Sequence, residues 1–186
     1  MITRKNKQLL LIIGVLSMLL IAFYVWLMPL FDVNHHNTGL QILDLRHSYN
    51  KNAVIQFFST IGESGIIQYK TFIFVDFVYL FVYGALAFFF LKFLLNNLER
   101  LGIVLQWALW LPALLMILDI IENINILVLL KNNADLPEFN VQFGSAATTL
   151  KWISAAVIIG MVMVFALIVI VRNVFIKIRK TLKLII

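Results

Sequence analysis

The chain has 186 residues, 62% of them hydrophobic, a net charge of +6 and no cysteine. A mean hydropathy of +0.98 is far above what a water-soluble domain of this size carries, and so excludes one. The missing cysteine excludes disulfides, thiol nucleophiles and thiolate metal sites.

The first apolar run spans 8–30 and follows a basic start of Arg4, Lys5 and Lys7. It is longer than the roughly 7–15 residues of a signal-peptide core, and no small-x-small cleavage pattern follows it. An uncleaved membrane anchor is the expectation. Three further runs, 71–95, 101–130 and 146–171, are each long enough to cross a bilayer as a helix. The sequence therefore predicts an all-α, integral-membrane four-helix bundle, built as one transmembrane domain over 1–186.

The connections differ in length. The first, 31–70, is long and opens on the polar stretch 32–38 with His35 and His36. Within it, 53–61 places Val54, Ile55, Phe57, Phe58 and Ile61 at spacings that suit a short amphipathic helix, lying on the membrane or capping the bundle. The second, 96–100, is so short that helices two and three should form a tight antiparallel hairpin. The third, 131–145, is polar and carries Pro137. The tail, 173–186, is basic and amphipathic, and reads as the frayed, lipid-attracted end of helix four in preference to a docking segment.

Charge sets an orientation. Arg4, Lys5, Lys7, Lys92, Arg100, Arg172, Lys177, Arg179, Lys180 and Lys183 fall on one side of a four-span chain, ten of its 15 basic residues. Glu99 is the sole carboxylate on that side. Positive-inside bias then predicts cytoplasmic N and C termini in a multi-pass protein of the bacterial inner membrane. Tyr24, Trp26, Tyr69 and Trp152 near the other boundary suit an aromatic belt. The basic balance is spent on orientation, so nucleic acid is not an expected partner. Membrane lipids are, as is a lipid-like small molecule. A second copy or another membrane protein is left open.

Against this background four ionisable residues stand out inside the apolar runs: Asp76, Asp119, Glu122 and Lys151. Charges in hydrocarbon are costly, face bundle interiors and mark sites. At ~1.5 Å per residue all four lie roughly 8–17 Å below the outer boundary. Asp119, Glu122 and Asn123 share one helix face, and Asp76, Tyr79 and Tyr83 another. Thr148, Lys151 and Ser154 line a small, polar face on helix four. These faces are expected to meet in an outward-opening polar pocket. Three carboxylates against one lysine leave it short of positive charge, to be supplied by a proton, by Arg46 folding over from the long loop, or by a bound cation.

Asp119 and Glu122 form the candidate catalytic acid–base pair, since one protonated carboxyl beside an ionised one is what such chemistry uses. Asp76, Tyr79, Tyr83, Asn123, Lys151 and Arg46 are the candidate ligand-binding residues. The bland alternative is that Lys151 with Asp119 or Glu122 is interhelical glue that fixes register. His35, His36, His47 and Asp44 fit no zinc pattern and read as solvated loop residues. No Gly-rich phosphate loop, serine elbow or HExxH box is present, so no cofactor is implied.

The order Leu43-Asp44-Leu45-Arg46, Gly62 to Tyr69, Asp76-x-x-Tyr79-x-x-x-Tyr83, Asp119-x-x-Glu122-Asn123 and Lys151-Trp152 resembles a group of uncharacterised four-span bacterial membrane proteins. That resemblance implies architecture and no activity. Asp76 ahead of Phe77, Tyr79, Phe81 and Tyr83 is also similar to the EXPERA group, which includes sterol isomerases and sigma-2-type receptors. Helix two lacks the proline expected there. Three functions follow as expectations. The first is a pocket that binds, with modification left open, a lipid-like or amphipathic ligand. The second is a structural or interaction subunit of a membrane complex. The third is a small proton-coupled transporter, which four unbroken spans suit poorly.

Overall fold

The computed structural model describes residues 4–27, 41–98, 100–132 and 135–182, and every regular element among them is helical. Helix α1 (Arg4–Ala22) runs on into a π-helical turn (Phe23–Leu27), and a 3-10 turn (Leu43–Leu45) precedes α2 (Lys51–Asn96). Helix α3 (Arg100–Val104), a 3-10 turn (Leu105–Trp110) and α4 (Leu111–Lys131) follow in line, and α5 (Glu138–Leu182) completes the chain. Four stretches are long and apolar enough to cross a membrane: Arg4–Leu27, Lys51–Asn96, Leu101–Lys131 and Glu138–Arg179.

Helices α2 and α5 depart from the boundaries expected above. Helix α2 starts at Lys51, not at 71, and absorbs the short helix expected at 53–61. Asn50 starts it by accepting from Ala53 N at 2.9 Å. Gly62 then breaks its line, with φ 64° and ψ −172°, a backbone conformation open to glycine and hardly to any other residue. In a one-dimensional reading that glycine looks like loop; in the fold it is the bend. Helix α5 starts at Glu138, not at 146, where Pro137 and an acidic first-turn residue favour an N-terminus. At its other end α5 stays regular to Leu182, so 173–182 is helix and not a frayed end.

The third span is not one α-helix. Pro112 has no N–H to offer the Ala108 carbonyl, and Leu111 N bonds that carbonyl instead, which tightens 105–110 into a 3-10 turn. The turn between α2 and α3 is short, as expected, with Asn97 N bonding Leu94 O at 2.9 Å.

Two apolar clusters hold the bundle. One joins the bent-off start of α2 (Val54, Phe57, Phe58) to Tyr69, Ile73, the end of α4 (Ile126, Leu129, Leu130) and Val141. The other joins Leu91, Leu94 and Leu95 to Leu115, Ile158 and Phe165. The polar residues of interest lie between these two along α2, α4 and α5.

At the basic end, Asn97 ties three helices together. Its Oδ1 accepts from Asn6 Nδ2 at 3.4 Å and its carbonyl accepts from Arg172 at 2.8 Å. Above this tie α1 packs against α2, and a cleft opens between α1 and α5.

Candidate functional site

The cleft has a volume of about 680 Å³. That lies within the ~300–1,000 Å³ usual for small-molecule sites. Its head is polar: Asp44, Asp76, Tyr79, Tyr83, Asp119 and Lys151 line it. The rest is apolar but for Ser17 of α1, with Leu86 and Phe90 of α2 and Ile158 and Met163 of α5 among its walls. From Lys151 to Met163 the cleft follows α5 for roughly 18 Å, at ~1.5 Å per residue.

Lys151 is the centre of the head. Its ammonium pairs with Glu122 Oε2, donates to Asp119 Oδ1 at 3.2 Å, and donates to the Asp44 carbonyl at 3.2 Å. The Lys151 side chain is 12% exposed. One cation thus joins α5 to α4 and to the turn before α2. Thr148, one helical turn away, has its one hydroxyl donor within reach of two acceptors, Glu122 Oε1 at 2.5 Å and Gly144 O at 3.0 Å. Ser145 Oγ and the Tyr49 N–H meet at 2.9 Å, and Thr149 Oγ1 donates to the His47 carbonyl at 2.9 Å. The segment 44–49 is therefore laid along the polar face of α5.

The carboxylates divide into two levels. Asp119 lines the cleft and also accepts from the Tyr83 hydroxyl. Glu122 and Asn123, both with no exposure, sit behind it. Asn123 Nδ2 donates to Asp76 Oδ2 at 2.8 Å, and Asp76 also lines the cleft. Among the described residues Asp76 has no ion-pair partner. Tyr79 stacks on Phe23 of the π turn, ring centres 4.3 Å apart, and meets Tyr83 edge-on at 5.4 Å. That π turn also brings Tyr24 to the cleft wall.

Two placements differ from the sequence reading. Arg46 does not join the cluster. Its Nε donates to Gln41 O at 2.9 Å and its guanidinium lies 5.6 Å from the Phe57 ring centre. Leu43 and Asp44 take the buried positions of the 3-10 turn, and the extended backbone at Arg46 carries its side chain away. Asp44, read as a solvated loop residue, is instead 5% exposed and part of the site. Tyr69 donates to Asp44 Oδ1 at 2.9 Å and accepts from Leu43 N at 3.2 Å. Burial pushes the Asp44 carboxyl above its ordinary range, and the charge of Lys151 opposes that shift. Burial and then the nearby Glu122 push the Tyr49 hydroxyl up as well. The one signal for Asp44 was an acid set in the apolar run Ile42-Leu43-Asp44-Leu45.

His47 meets the Trp152 ring edge-on at 5.7 Å, and His35 and His36 lie outside the described residues. Among the described residues no group of three or more His, Asp or Glu is placed to hold a metal ion.

Comparison with family models, with curated proteins and with solved structures gave no match. The two family resemblances thus rest on the sequence motifs that suggested them.

Proposed function

We propose that this protein is a multi-pass protein of the bacterial inner membrane that binds a lipid-like amphiphile in the cleft between α1 and α5. The polar end of that cleft receives the head and the apolar end receives the chain. The observation that carries the proposal is the cleft's own polarity: charged and tyrosine side chains at one end, aliphatic side chains along the rest. A ligand with the same two-part character satisfies both ends, and a wholly polar or wholly apolar one does not.

Orientation supports access from the lipid. Lys7, Lys92 and Arg172 mark the basic end, which positive-inside bias assigns to the cytoplasm. Measured up from Arg172 along α5, a hydrocarbon layer of ~30 Å ends about 20 residues on, close to Trp152. The polar head of the cleft then sits near the outer headgroup level, and the first apolar cluster projects beyond it as a cap. That is shallower than the ~8–17 Å derived from the shorter helices. Introduced cysteines test the topology, since the chain has none of its own. Thr60→Cys should label from outside intact spheroplasts and Thr181→Cys should not.

Asp119 is the acid–base candidate that faces the cleft, with Tyr83 and Lys151 as partners. Glu122 acts through Lys151 and not on the ligand directly. The decisive experiment is native mass spectrometry of protein purified in mild detergent. Wild type should retain a stoichiometric amphiphile, and Ala155→Trp, which fills the cleft one helical turn from its polar head, should lose it. A wild type that retains none, and binds no added amphiphile in a manner sensitive to Ala155→Trp, removes the proposal.

The reading of the charges as interhelical glue has its own support. Glu122 is wholly buried, pairs with Lys151 and Thr148, and lines no part of the cleft. On this reading Glu122–Lys151 sets helix register, while Asp44, Asp76 and Asp119 face the ligand.

A further inference from the structure

Building on the amphiphile reading, we propose that the head of the ligand is an ammonium group, held by Asp76 and walled by Tyr24, Tyr79 and Trp152. Charge and geometry carry this beyond amphipathic character alone. Among the described residues Asp44, Asp76, Asp119 and Glu122 set four carboxylates around one ammonium, that of Lys151, and Arg46 is committed elsewhere. Full ionisation leaves the cluster at a net −3, before any ligand enters.

The deficit is located, not spread evenly. Lys151 donates to Asp119 and to the Asp44 carbonyl and is ion-paired with Glu122, so its charge is already engaged. Asp44 has its hydroxyl donor in Tyr69. Among the described residues Asp76 has one amide donor, from Asn123 to Oδ2, and no cation. It is 6% exposed and lines the cleft. A carboxylate at the cleft wall with so little exposure is held away from water, and a cation is the partner that offsets its desolvation.

The surrounding walls match the same chemistry. Tyr24, Tyr79 and Trp152 line the same cleft as Asp76, and aromatic faces attract ammonium groups through their quadrupoles. Trp152 already shows this preference inside the fold, with Lys151 Nζ 5.8 Å from its ring centre. A phosphate or sulfate head would instead meet three carboxylates, with no free cation among the described residues that line the cleft. An alkylammonium supplies the charge to Asp76 and the chain to the aliphatic walls. Its source is either the amine headgroup of a membrane lipid or a free long-chain amine.

The test uses full-length protein in maltoside micelles and three probes of equal chain length: an alkylammonium, an alkyl sulfate and an alkanol. The ammonium should raise the unfolding temperature saturably and bind most tightly. Asp76→Asn keeps the amide contact to Asn123 and should weaken the ammonium on the order of tenfold or more while leaving the alkanol unchanged. Preference for the sulfate, parity with the alkanol, or an Asp76→Asn variant that binds ammonium as wild type does would each overturn the ammonium head and leave the cleft reading standing. If no probe shows binding sensitive to Ala155→Trp, the cleft reading fails and the ammonium falls with it. Reconstitution with phosphatidylethanolamine and phosphatidylglycerol separates the sources: selective retention of phosphatidylethanolamine identifies a lipid headgroup, and retention of the added alkylammonium with neither lipid identifies a free amine.

Discussion

Lys151 of α5 and Glu122 of α4 form an ion pair in which the carboxylate has no exposed surface. The pair bridges the two helices at the level where the apolar clusters part. A buried pair of this kind adds little net stability over an apolar pair, but losing one partner strands the other's charge.

Lys151→Met should therefore cost about 3–5 kcal/mol, seen as a lower unfolding temperature in detergent. Adding Glu122→Gln and Asp119→Asn to it should recover much of that loss. A single variant as stable as wild type would show that Lys151 does not neutralise this cluster.

Tyr69 links the 3-10 turn to α2 by donating to Asp44 and accepting from Leu43 N. Tyr69→Phe leaves both groups buried and short of a partner. The expected loss is about 1–3 kcal/mol, with the deficit largest for the 41–50 segment in hydrogen exchange.

Asp44 gives stability a pH dependence with a defined sign. Its carboxyl is raised above the ordinary value chiefly by burial, so the folded chain holds that proton more tightly than the unfolded chain. The stabilisation is complete below the ordinary carboxylate range and is lost as pH rises through the folded value. Asp44→Asn should flatten the fall of unfolding temperature over that window. A slope unchanged by the substitution would assign the proton to another group.

Gly144 sits where α5 meets Asn125 of α4 and the Tyr49 hydroxyl, with no room for a β-carbon. Asn125 Nδ2 donates to Asn140 O at 2.9 Å beside it. Gly144→Ala should cost about 1–3 kcal/mol through overpacking, despite the better helix propensity of alanine. The same change at Gly14, which has open space around it, should be neutral or mildly stabilising by comparison.

How far the sequence could be read depended on whether a feature is periodic. The four apolar runs and the shared face of Asp119, Glu122 and Asn123 follow from helical spacing alone, and all three side chains are buried. Spacing could not say that the three part company: Asp119 to Tyr83, Glu122 to Thr148, Asn123 to Asp76. The early starts of α2 and α5 were hidden because a bent helix and a loop both tolerate Gly62, and because 138–145 is polar enough to pass for a connection. Asp44 and Arg46 exchanged roles for a related reason. A 3-10 turn has no repeat long enough to show which of two neighbouring charged residues is turned inward.

The layering of the bundle has a mechanical consequence. Helices α2, α4 and α5 each pass through one apolar cluster, then the charged level, then the other cluster. Sliding any one of them by a turn, ~5.4 Å, would push a carboxylate or an ammonium among aliphatic side chains above or below. The charges work as detents on three rods, whereas α1 brings none of them and is held along its axis by other contacts, the bond from Asn6 to Asn97 among them.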